Sequence, residues 1–344
     1  MRRKRARVAC KTRLLVIGLG TQDWESKMKT TSAFKLTTAT AVAALSVATA
    51  AFAADPDSCL AVRLSDVGWT DITATTATAA VILKNLGYEP DVKVLSVPVT
   101  YQSMKNKDID VFLGNWMPAQ KKDVQPYLDE KTVDSLGVNL EGAKYTLATN
   151  AKGVELGIKD FGDIGKHKDE LDGKIYGIEP GNDGNRLVMT LIEKNEMGMG
   201  GLELVESSEQ GMLAQVARAE KEGKPVVFLG WAPHPMNENF KMTYLTGGDS
   251  TFGPNFGGAT VYTNTRAGYT TECPNVGKFI SNLKFNLEME NQIMGKILND
   301  GEDPQVAATE WLKANPNAVD PWLAGITTKD GKDALAAVKS GLGL

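Results

Sequence analysis

Short apolar runs alternate with longer amphipathic segments along most of this chain. Runs rich in β-branched and aromatic residues predict strands, and segments with apolar residues at helical spacing predict helices. The predicted strands are 92–97, 109–113, 145–148, 174–179, 202–205 and 225–229, and the predicted helices are 75–86, 119–130, 186–196 and 209–222. This alternation is typical of βαβ units, so we expect an α/β fold with a mostly parallel sheet.

The pattern changes after Thr263. Four consecutive helices are predicted there, at 276–287, 288–299, 304–314 and 332–340. They are separated by Gly-Glu-Asp-Pro and Asn-Pro-Asn, which are sequences typical of turns. We therefore expect a helical C-terminal part.

Residues 28–53 have the composition of a secretory signal peptide. Two lysines precede an apolar stretch at 37–51, and Ala-Phe-Ala at 51–53 fits a cleavage site. The stretch is short for a membrane span and is rich in Ala and Thr. The strongly basic residues 1–27 are either a nucleic-acid-binding arm or an extension upstream of a true start at Met28, and we favour the extension.

The net charge narrows the range of partners. The chain has 38 basic and 42 acidic residues, a formal net charge of −4. Residues 1–53 contain ten of the basic and two of the acidic residues, so their removal leaves 28 and 40, a net charge of −12. This acidity argues against nucleic acid or an anionic membrane as the partner. About 290 residues remain, enough for one large or two ordinary domains.

Removal of the signal peptide also takes away Cys10 and leaves Cys59 and Cys273. Two cysteines in an exported protein most simply form a disulfide. A bridge across so long a loop contributes about 4–5 kcal/mol if it is unstrained. The alternative is a lipid-bearing Cys59, but Asp-Pro-Asp-Ser before it is not the small apolar sequence that a lipid anchor needs. We therefore predict the disulfide.

This disulfide would join the helical C-terminal part to the beginning of the mature chain. The middle of the chain would then be an insertion between two parts of one lobe. We predict a first lobe formed by 54–143 and 258–344 and a second lobe formed by 144–257, with chain crossings near Ala143 and Gly258. The cleft between two such lobes is a favoured place for a ligand.

Three apolar runs end in glycine and then, at once or after one residue, tryptophan. They are 61–69, 111–116 and 226–231, and the tryptophans are Trp69, Trp116 and Trp231. We interpret each tryptophan as lying just past the carboxyl end of a strand, the edge of an α/β sheet where ligands bind. Packing is the simpler explanation for one such residue, and we assign it to Trp311 and Trp322. Three in the same context favour an aromatic box.

An aromatic box suits a quaternary ammonium ion. Such a cation has no N–H to donate, whereas each desolvated aromatic face contributes about 2 kcal/mol to its binding. Three or four faces would supply much of the roughly 8 kcal/mol that micromolar affinity requires.

The common signatures of enzymes are absent from the sequence. It has no G-x-S-x-G, no G-x-x-x-x-G-K-[ST], no H-E-x-x-H and no C-x-x-C. Its two histidines are His167, on a solvated surface, and His234, in a proline-stiffened loop beside Trp231. We interpret His234 as a hydrogen-bonded structural residue. No metal site and no cofactor are expected.

Residues 177–186 form a glycine-rich turn from a predicted strand into a helix. A phosphate site is one interpretation, because helix N-termini favour anions, but the lysine of a phosphate-binding loop is missing. A plain tight turn is another. We favour a ligand loop that presents Asn182 to the cleft.

At these residues the chain resembles a known family, the substrate-binding proteins of ABC importers for glycine betaine, choline and related quaternary amines. The resemblance runs from about residue 57 to the C-terminus and depends on the segments 66–71, 112–118, 177–186 and 230–235. It implies the fold of a type II periplasmic binding protein, in which two α/β lobes close on a ligand at the hinge. It also implies a periplasmic location, delivery of the ligand to the transmembrane subunits of an ABC permease, and a monomer without catalytic activity.

The resemblance also implies roles for individual residues. Trp69 and Trp116 would come from the first lobe, and Tyr145 and Trp231 from the second, to surround the trimethylammonium group. Asp71 and Asn182 would meet the hydroxyl of choline. Betaine-binding relatives often have an aromatic residue where this chain has Pro235, and a carboxylate ligand would be repelled by Asp71. We therefore rank choline above glycine betaine.

Three alternatives remain open. The first keeps the fold and changes the ligand to glycine betaine, proline betaine or acetylcholine. The second is a periplasmic enzyme that acts on a small amine with His234 as its base. The third is a sensor domain that delivers its ligand-bound form to a membrane receptor.

Overall fold

The structure, a computed structural model, describes residues 55–344. The predicted signal peptide and the basic extension lie outside the described residues. Nine strands form one mixed sheet in the described part: β1 (Ala61–Asp66), β2 (Glu89–Val94), β3 (Val111–Met117), β4 (Val133–Asn150), β5 (Lys174–Tyr176), β6 (Glu203–Val205), β7 (Val227–Ala232), β8 (Met242–Tyr244) and β9 (Gly258–Arg266).

Helices cover this sheet. They are α1 (Thr70–Asn85), α2 (Val97–Lys105), α3 (Lys121–Asp129), α4 (Ala151–Leu156), α5 (Phe161–Ile164), α6 (Asp183–Glu193), α7 (Glu209–Glu222), α8 (Met236–Asn239), α9 (Asp249–Phe252), α10 (Pro254–Gly257), α11 (Tyr269–Glu272), α12 (Pro274–Asn282), α13 (Leu287–Leu298), α14 (Pro304–Ala314), α15 (Val319–Trp322) and α16 (Ala334–Leu342).

The sheet has two parallel halves that are joined by antiparallel strands. Its order is β2-β1-β3-β9-β4-β7-β5-β6, with β8 paired to β4. Strand β1 is parallel to β2 and β3, and β5 is parallel to β6 and β7. Between these halves β4 and β9 pair antiparallel, with Ala143 opposite Ala259 and Lys144 opposite Gly258. The prediction of a mostly parallel sheet is therefore right for each half and wrong for the middle, because alternation of elements does not reveal the direction of a long return strand.

Helix α1 lies at the centre of the first half. Nearly all of its residues are buried, from Thr70 to Leu83, and it packs against β1, α13 and α14. Its surface consists largely of small Ala and Thr side chains, so other elements can pack closely around it on every side. The predicted helix at 75–86 begins too late, since β-branched threonines in its first turns weaken the helical pattern.

Two other boundaries differ from the prediction. The strand expected at 92–97 ends at Val94, and Val97 begins α2 with Pro98 in its first turn. Proline is favoured at that place in a helix because its missing N–H is not needed there, so Pro98 starts a helix rather than ending a strand. The predicted disulfide is present and joins Cys59, beside β1, to Cys273 at the start of α12.

Candidate ligand-binding site

Each of the three tryptophans is placed by a different local structure. Trp69 follows a turn in which the Gly68 N–H donates a 2.7 Å hydrogen bond to Oδ1 of Asp66. Gly68 has φ +80°, which glycine adopts without strain, and the chain enters α1 directly afterwards. Trp116 and Trp231 lie inside β3 and β7. The expectation that all three stand past a strand is therefore correct for Trp69 alone.

Side chains from both halves of the sheet converge on one cavity. Its empty space is about 230 Å³ when the part open to solvent is included. The lining residues are Trp69, Asp71, Trp116, Tyr145, Ile178 and Trp231. Five of the six site residues proposed from the sequence thus meet at one place, and the sixth, Asn182, is not among those that line it in the described part of the chain.

The aromatic rings meet edge to face. The ring centroid of Tyr145 is 6.0 Å from that of Trp116 and 6.2 Å from that of Trp231, with interplanar angles of 65° and 88°. Tyr145 stands directly opposite Trp231 in the β4–β7 ladder, so strand register fixes this pair. All four aromatic side chains of the cavity are at most 5 % exposed. Their faces form walls rather than one stack, as a cation–π site requires.

Asp71 provides the carboxyl group that lines the cavity. It lies in the first turn of α1, and its Oδ2 accepts a 3.1 Å hydrogen bond from Nε1 of Trp116. Its Oδ1 is buried and has no hydrogen-bond partner among residues 55–344. Burial, with a further contribution from the negative charge of Glu209, raises the pKa of Asp71 to about 8, although the Trp116 hydrogen bond opposes this shift.

Asn182 lies behind Tyr145. Its Oδ1 accepts hydrogen bonds from the Tyr145 hydroxyl at 2.9 Å and from the Gly184 and Asn185 N–H groups. It is the N-cap of α6 and orients the tyrosine from there. Gly184 is required at this contact, because a Cβ there would lie 2.0 Å from the tyrosine hydroxyl oxygen.

Two glutamates near the cavity were not found by sequence reasoning: Glu179 contacts Trp69, and Glu290 lies near Asp71. Nε1 of Trp69 donates a 2.9 Å hydrogen bond to Oε1 of Glu179, and Nδ2 of Asn182 donates to the same oxygen. Burial raises the pKa of Glu179. Glu290, on α13, is also buried, and burial together with the nearby Asp71 raises its pKa well above the ordinary value. In sequence both look like ordinary helix or turn acids, and no spacing distinguishes them.

His234 is held by hydrogen bonds at both ring nitrogens. Nδ1 accepts from the Met236 N–H at 2.9 Å, and Nε2 is 3.1 Å from Oε1 of Glu209. Its ring contacts that of Trp231, with centroids 4.8 Å apart. These contacts agree with the structural role assigned from the sequence and leave no ring nitrogen directed into the cavity.

Between residues 55 and 344 there is no group of three or more His, Cys, Asp or Glu side chains placed to hold a metal ion. No helix in that range is long and apolar enough to cross a membrane.

The fold and the cavity define a class of protein. Two α/β lobes enclose a small cavity with aromatic walls and one carboxyl group, which is the arrangement of a binding protein for a small organic cation. Residues 61–314 match the family model described as the substrate binding domain of ABC-type glycine betaine transport systems, and the chain belongs to this family. The fold expected from the resemblance, a type II periplasmic binding protein, is confirmed.

Similar proteins include two choline binding proteins of known structure and a glycine betaine/carnitine binding protein that is compared by sequence. An ABC-transporter choline binding protein in complex with choline is 72% identical, with a TM-score of 0.83, over 84% of this chain and 100% of that chain. An ABC-transporter choline binding protein in an unliganded semi-closed conformation has the same identity and coverage and a TM-score of 0.78. The glycine betaine/carnitine transport binding protein GbuC of Listeria monocytogenes serotype 1/2a (strain 10403S) is 27% identical over 175 residues, 51% of this chain and 55% of GbuC.

Proposed function

We propose that this protein is the substrate-binding component of an ABC importer and that its substrate is choline. The observation that carries the proposal is the cavity itself. Trp69, Trp116, Tyr145 and Trp231 line it together with Asp71, whose buried Oδ1 has no hydrogen-bond partner among residues 55–344. Aromatic faces suit a trimethylammonium group, and the carboxyl oxygen suits a hydroxyl donor.

The charge of the site favours choline over glycine betaine. Asp71 lines the cavity, Glu209 and Glu290 are buried near it, and the half-buried Glu179 bonds to Trp69. Choline favours ionisation of Asp71 and is attracted by the resulting carboxylate, whereas a ligand carboxylate would be repelled by that charge or would hold Asp71 in its neutral, protonated form. A relative of 72% identity is described as binding choline, which supports the same ranking.

The position of the β4–β9 ladder supports the lobe boundaries proposed from the sequence. The crossings near Ala143 and Gly258 fall on the β4–β9 ladder, where Lys144 pairs with Gly258. Two adjacent strand crossings make a hinge of the kind that allows one lobe to close on another. Ligand contacts from both lobes would then stabilise the closed form, and the closed form would dock on the permease.

Export, delivery and the absence of catalysis complete the proposal. The signal at 28–53 directs the protein to the periplasm, where it acts as a monomer and passes its ligand to the transmembrane subunits of the importer. It changes no bond in the ligand and uses no cofactor. The hydrogen bonds at both nitrogens of His234 count against its use as a catalytic base.

Calorimetric titration of the mature protein with choline, acetylcholine, proline betaine and glycine betaine tests this function. We expect choline to bind most tightly and to be recovered unchanged. Tighter binding of glycine betaine would favour the alternative in which glycine betaine is the substrate. Formation of a product from choline would show the enzyme alternative to be correct.

A further inference from the structure

Glu209, at the start of α7, accepts three hydrogen bonds in the interior. Oε2 accepts from the Thr70 N–H at 2.8 Å, and Oε1 accepts from the Thr70 hydroxyl at 2.5 Å. Nε2 of His234 is 3.1 Å from Oε1. The carboxylate is fully buried, so these bonds form without competition from solvent.

All three partners must be donors. The Thr70 N–H can only donate, and Nδ1 of His234 accepts from the Met236 N–H. A neutral His234 therefore carries its proton on Nε2 and donates it to Glu209. A glutamine at this position would turn an N–H₂ group toward at least one donor. The geometry thus requires a carboxylate at Glu209.

The two ends of this contact belong to different parts of the chain. Thr70 is the first residue of α1, and Glu209 follows it by 139 residues. The residue before α1 is Trp69, whose indole offers no acceptor for the first N–H groups of the helix. The carboxylate of Glu209 supplies an acceptor for the first of these groups, the Thr70 N–H. It also lies at the positive end of the helix dipole.

The same helix turn carries two groups that line the cavity. Trp69 and Asp71 flank Thr70 directly, so a hydrogen bond to the N–H and hydroxyl of Thr70 fixes both of them. With the lobes proposed above, Glu209 lies in the second lobe and α1 in the first. The contact can then exist only while the lobes are together.

We infer that Glu209 is a positioning residue for closure, which caps α1 from the opposite lobe and thereby holds Trp69 and Asp71 against the bound cation. This inference rests on the proposed function. Glu209 is not among the residues that line the cavity. It slows opening, so its loss accelerates ligand release and leaves ligand entry almost unchanged, because entry occurs while the lobes are apart.

Stopped-flow tryptophan fluorescence with choline tests this role. In Glu209→Gln we expect choline dissociation to be about tenfold faster or more, with association within about twofold of wild type. Thr70→Val keeps the α1 N–H but removes the hydroxyl, and it should accelerate dissociation by a smaller factor. The combined variant should show less than the product of the two factors, since both remove the same contact. Glu222→Gln, an exposed position on the same helix, is the matched control.

The outcomes separate this inference from the proposed function. If the wild-type protein binds none of the quaternary amines, both are wrong. If it binds choline and both variants release it at the wild-type rate, the closure role alone is wrong. A general weakening of the fold would lower the melting temperature of the ligand-free protein without changing the dissociation rate. If Glu209→Gln does not fold, Thr70→Val still decides the question.

Discussion

The indole N–H of Trp116 donates a hydrogen bond to one oxygen of Asp71, and the other oxygen of that carboxyl has no partner in the described chain. This relationship couples an aromatic wall to the polar end of the cavity. This hydrogen bond fixes the rotation of the indole and the orientation of the carboxyl together. A change at either residue therefore alters both the aromatic wall and the carboxyl group of the cavity.

Removal of either central indole is expected to weaken choline binding. Each desolvated aromatic face contributes about 2 kcal/mol, so Trp116→Ala and Trp231→Ala should each raise the Kd at least about tenfold. Calorimetry measures this change. Trp311→Ala is the control, since Trp311 lies on α14 with its Nε1 bonded to Gln292. Near-wild-type affinity in both cavity variants would contradict the aromatic box.

Phenylalanine substitutions separate the aromatic face from the N–H. Trp116→Phe keeps a π face but leaves Oδ2 of Asp71 without its donor, whereas Trp231 makes no such bond to Asp71. We expect Trp116→Phe to weaken choline binding more than Trp231→Phe does. Equal losses, measured by the same titration, would show that the N–H contributes nothing to binding.

Asp71 is expected to determine which ligand binds. Asp71→Asn removes the charge that attracts the cation and repels a ligand carboxylate. The variant should lose affinity for choline, by about tenfold, while its affinity for glycine betaine falls less or rises. Parallel titrations with the two ligands check this. Equal losses of affinity for both ligands would show that Asp71 neither binds the choline hydroxyl nor selects between the ligands by its charge.

The same carboxyl makes choline binding dependent on pH. Burial and the charge of Glu209 raise the pKa of Asp71 to about 8, so it is mostly protonated at pH 7 without ligand. A cation prefers the ionised carboxylate, so binding releases a proton. The affinity for choline should therefore increase as the pH rises from 6 to 8 and level off above that range.

Titrations in phosphate and in Tris at pH 7 measure the proton release, because the two buffers differ in ionisation enthalpy. The Asp71→Asn variant should release fewer protons and show a flatter pH profile. Glu290 also lies near Asp71 and has a raised pKa, so Glu290→Gln distinguishes a proton from Asp71 from one released by this neighbour. An unchanged profile in Asp71→Asn would show that Asp71 is not the source of the pH dependence.

Much of the cavity was predictable from sequence because its walls follow short, glycine-bounded apolar runs. Trp69, Trp116 and Trp231 are recognisable in that context, and the family resemblance adds Asp71 and Tyr145. Ile178 was not found, since a single apolar residue in a glycine-rich turn carries no distinctive signal. Asn182 was placed in the right loop, but its side chain supports Tyr145 from behind.

The acids around the cavity were not predictable. Glu209 follows two serines at the start of a helix and looks like an ordinary first-turn acid. Its contact with Thr70 arises only when distant segments fold together. The direction of β4 and β9 was missed for a similar reason, since residue patterns indicate that a strand exists but not which neighbour it pairs with.

Buried acids with raised pKa values are expected to make the ligand-free protein less stable at high pH. Burial, then the charge of Asp123, raises the pKa of Asp183 to about 8, as burial and Glu209 do for Asp71. Both oxygens of Asp183 lack hydrogen-bond partners in the described region. An acid with a raised folded pKa stabilises fully below its unfolded pKa, and the contribution is lost as the pH rises through the folded pKa.

The free energy of unfolding should therefore fall by about 1.4 kcal/mol per pH unit for each such group between about pH 4 and pH 8. Asp183→Asn and Asp71→Asn should each reduce this slope by the contribution of one group. Urea unfolding at several pH values measures the slope. The two variants form a matched pair, because only Asp71 lines the cavity. A steeper slope in Asp183→Asn would contradict the assignment.

The Cys59–Cys273 disulfide is expected to stabilise the fold without contributing to ligand recognition. It closes a loop with a sequence separation of 214 and lies outside the cavity lining. Loop-closure entropy predicts that the Cys59→Ser, Cys273→Ser double variant loses about 5 kcal/mol of unfolding free energy. Its Kd for choline should stay within about twofold of wild type, because the bridge joins two segments of the proposed first lobe and does not cross the cleft. Urea unfolding and calorimetry at a temperature where the variant is folded measure the two quantities. A large loss of affinity in the folded variant would show that the bridge also holds the binding geometry.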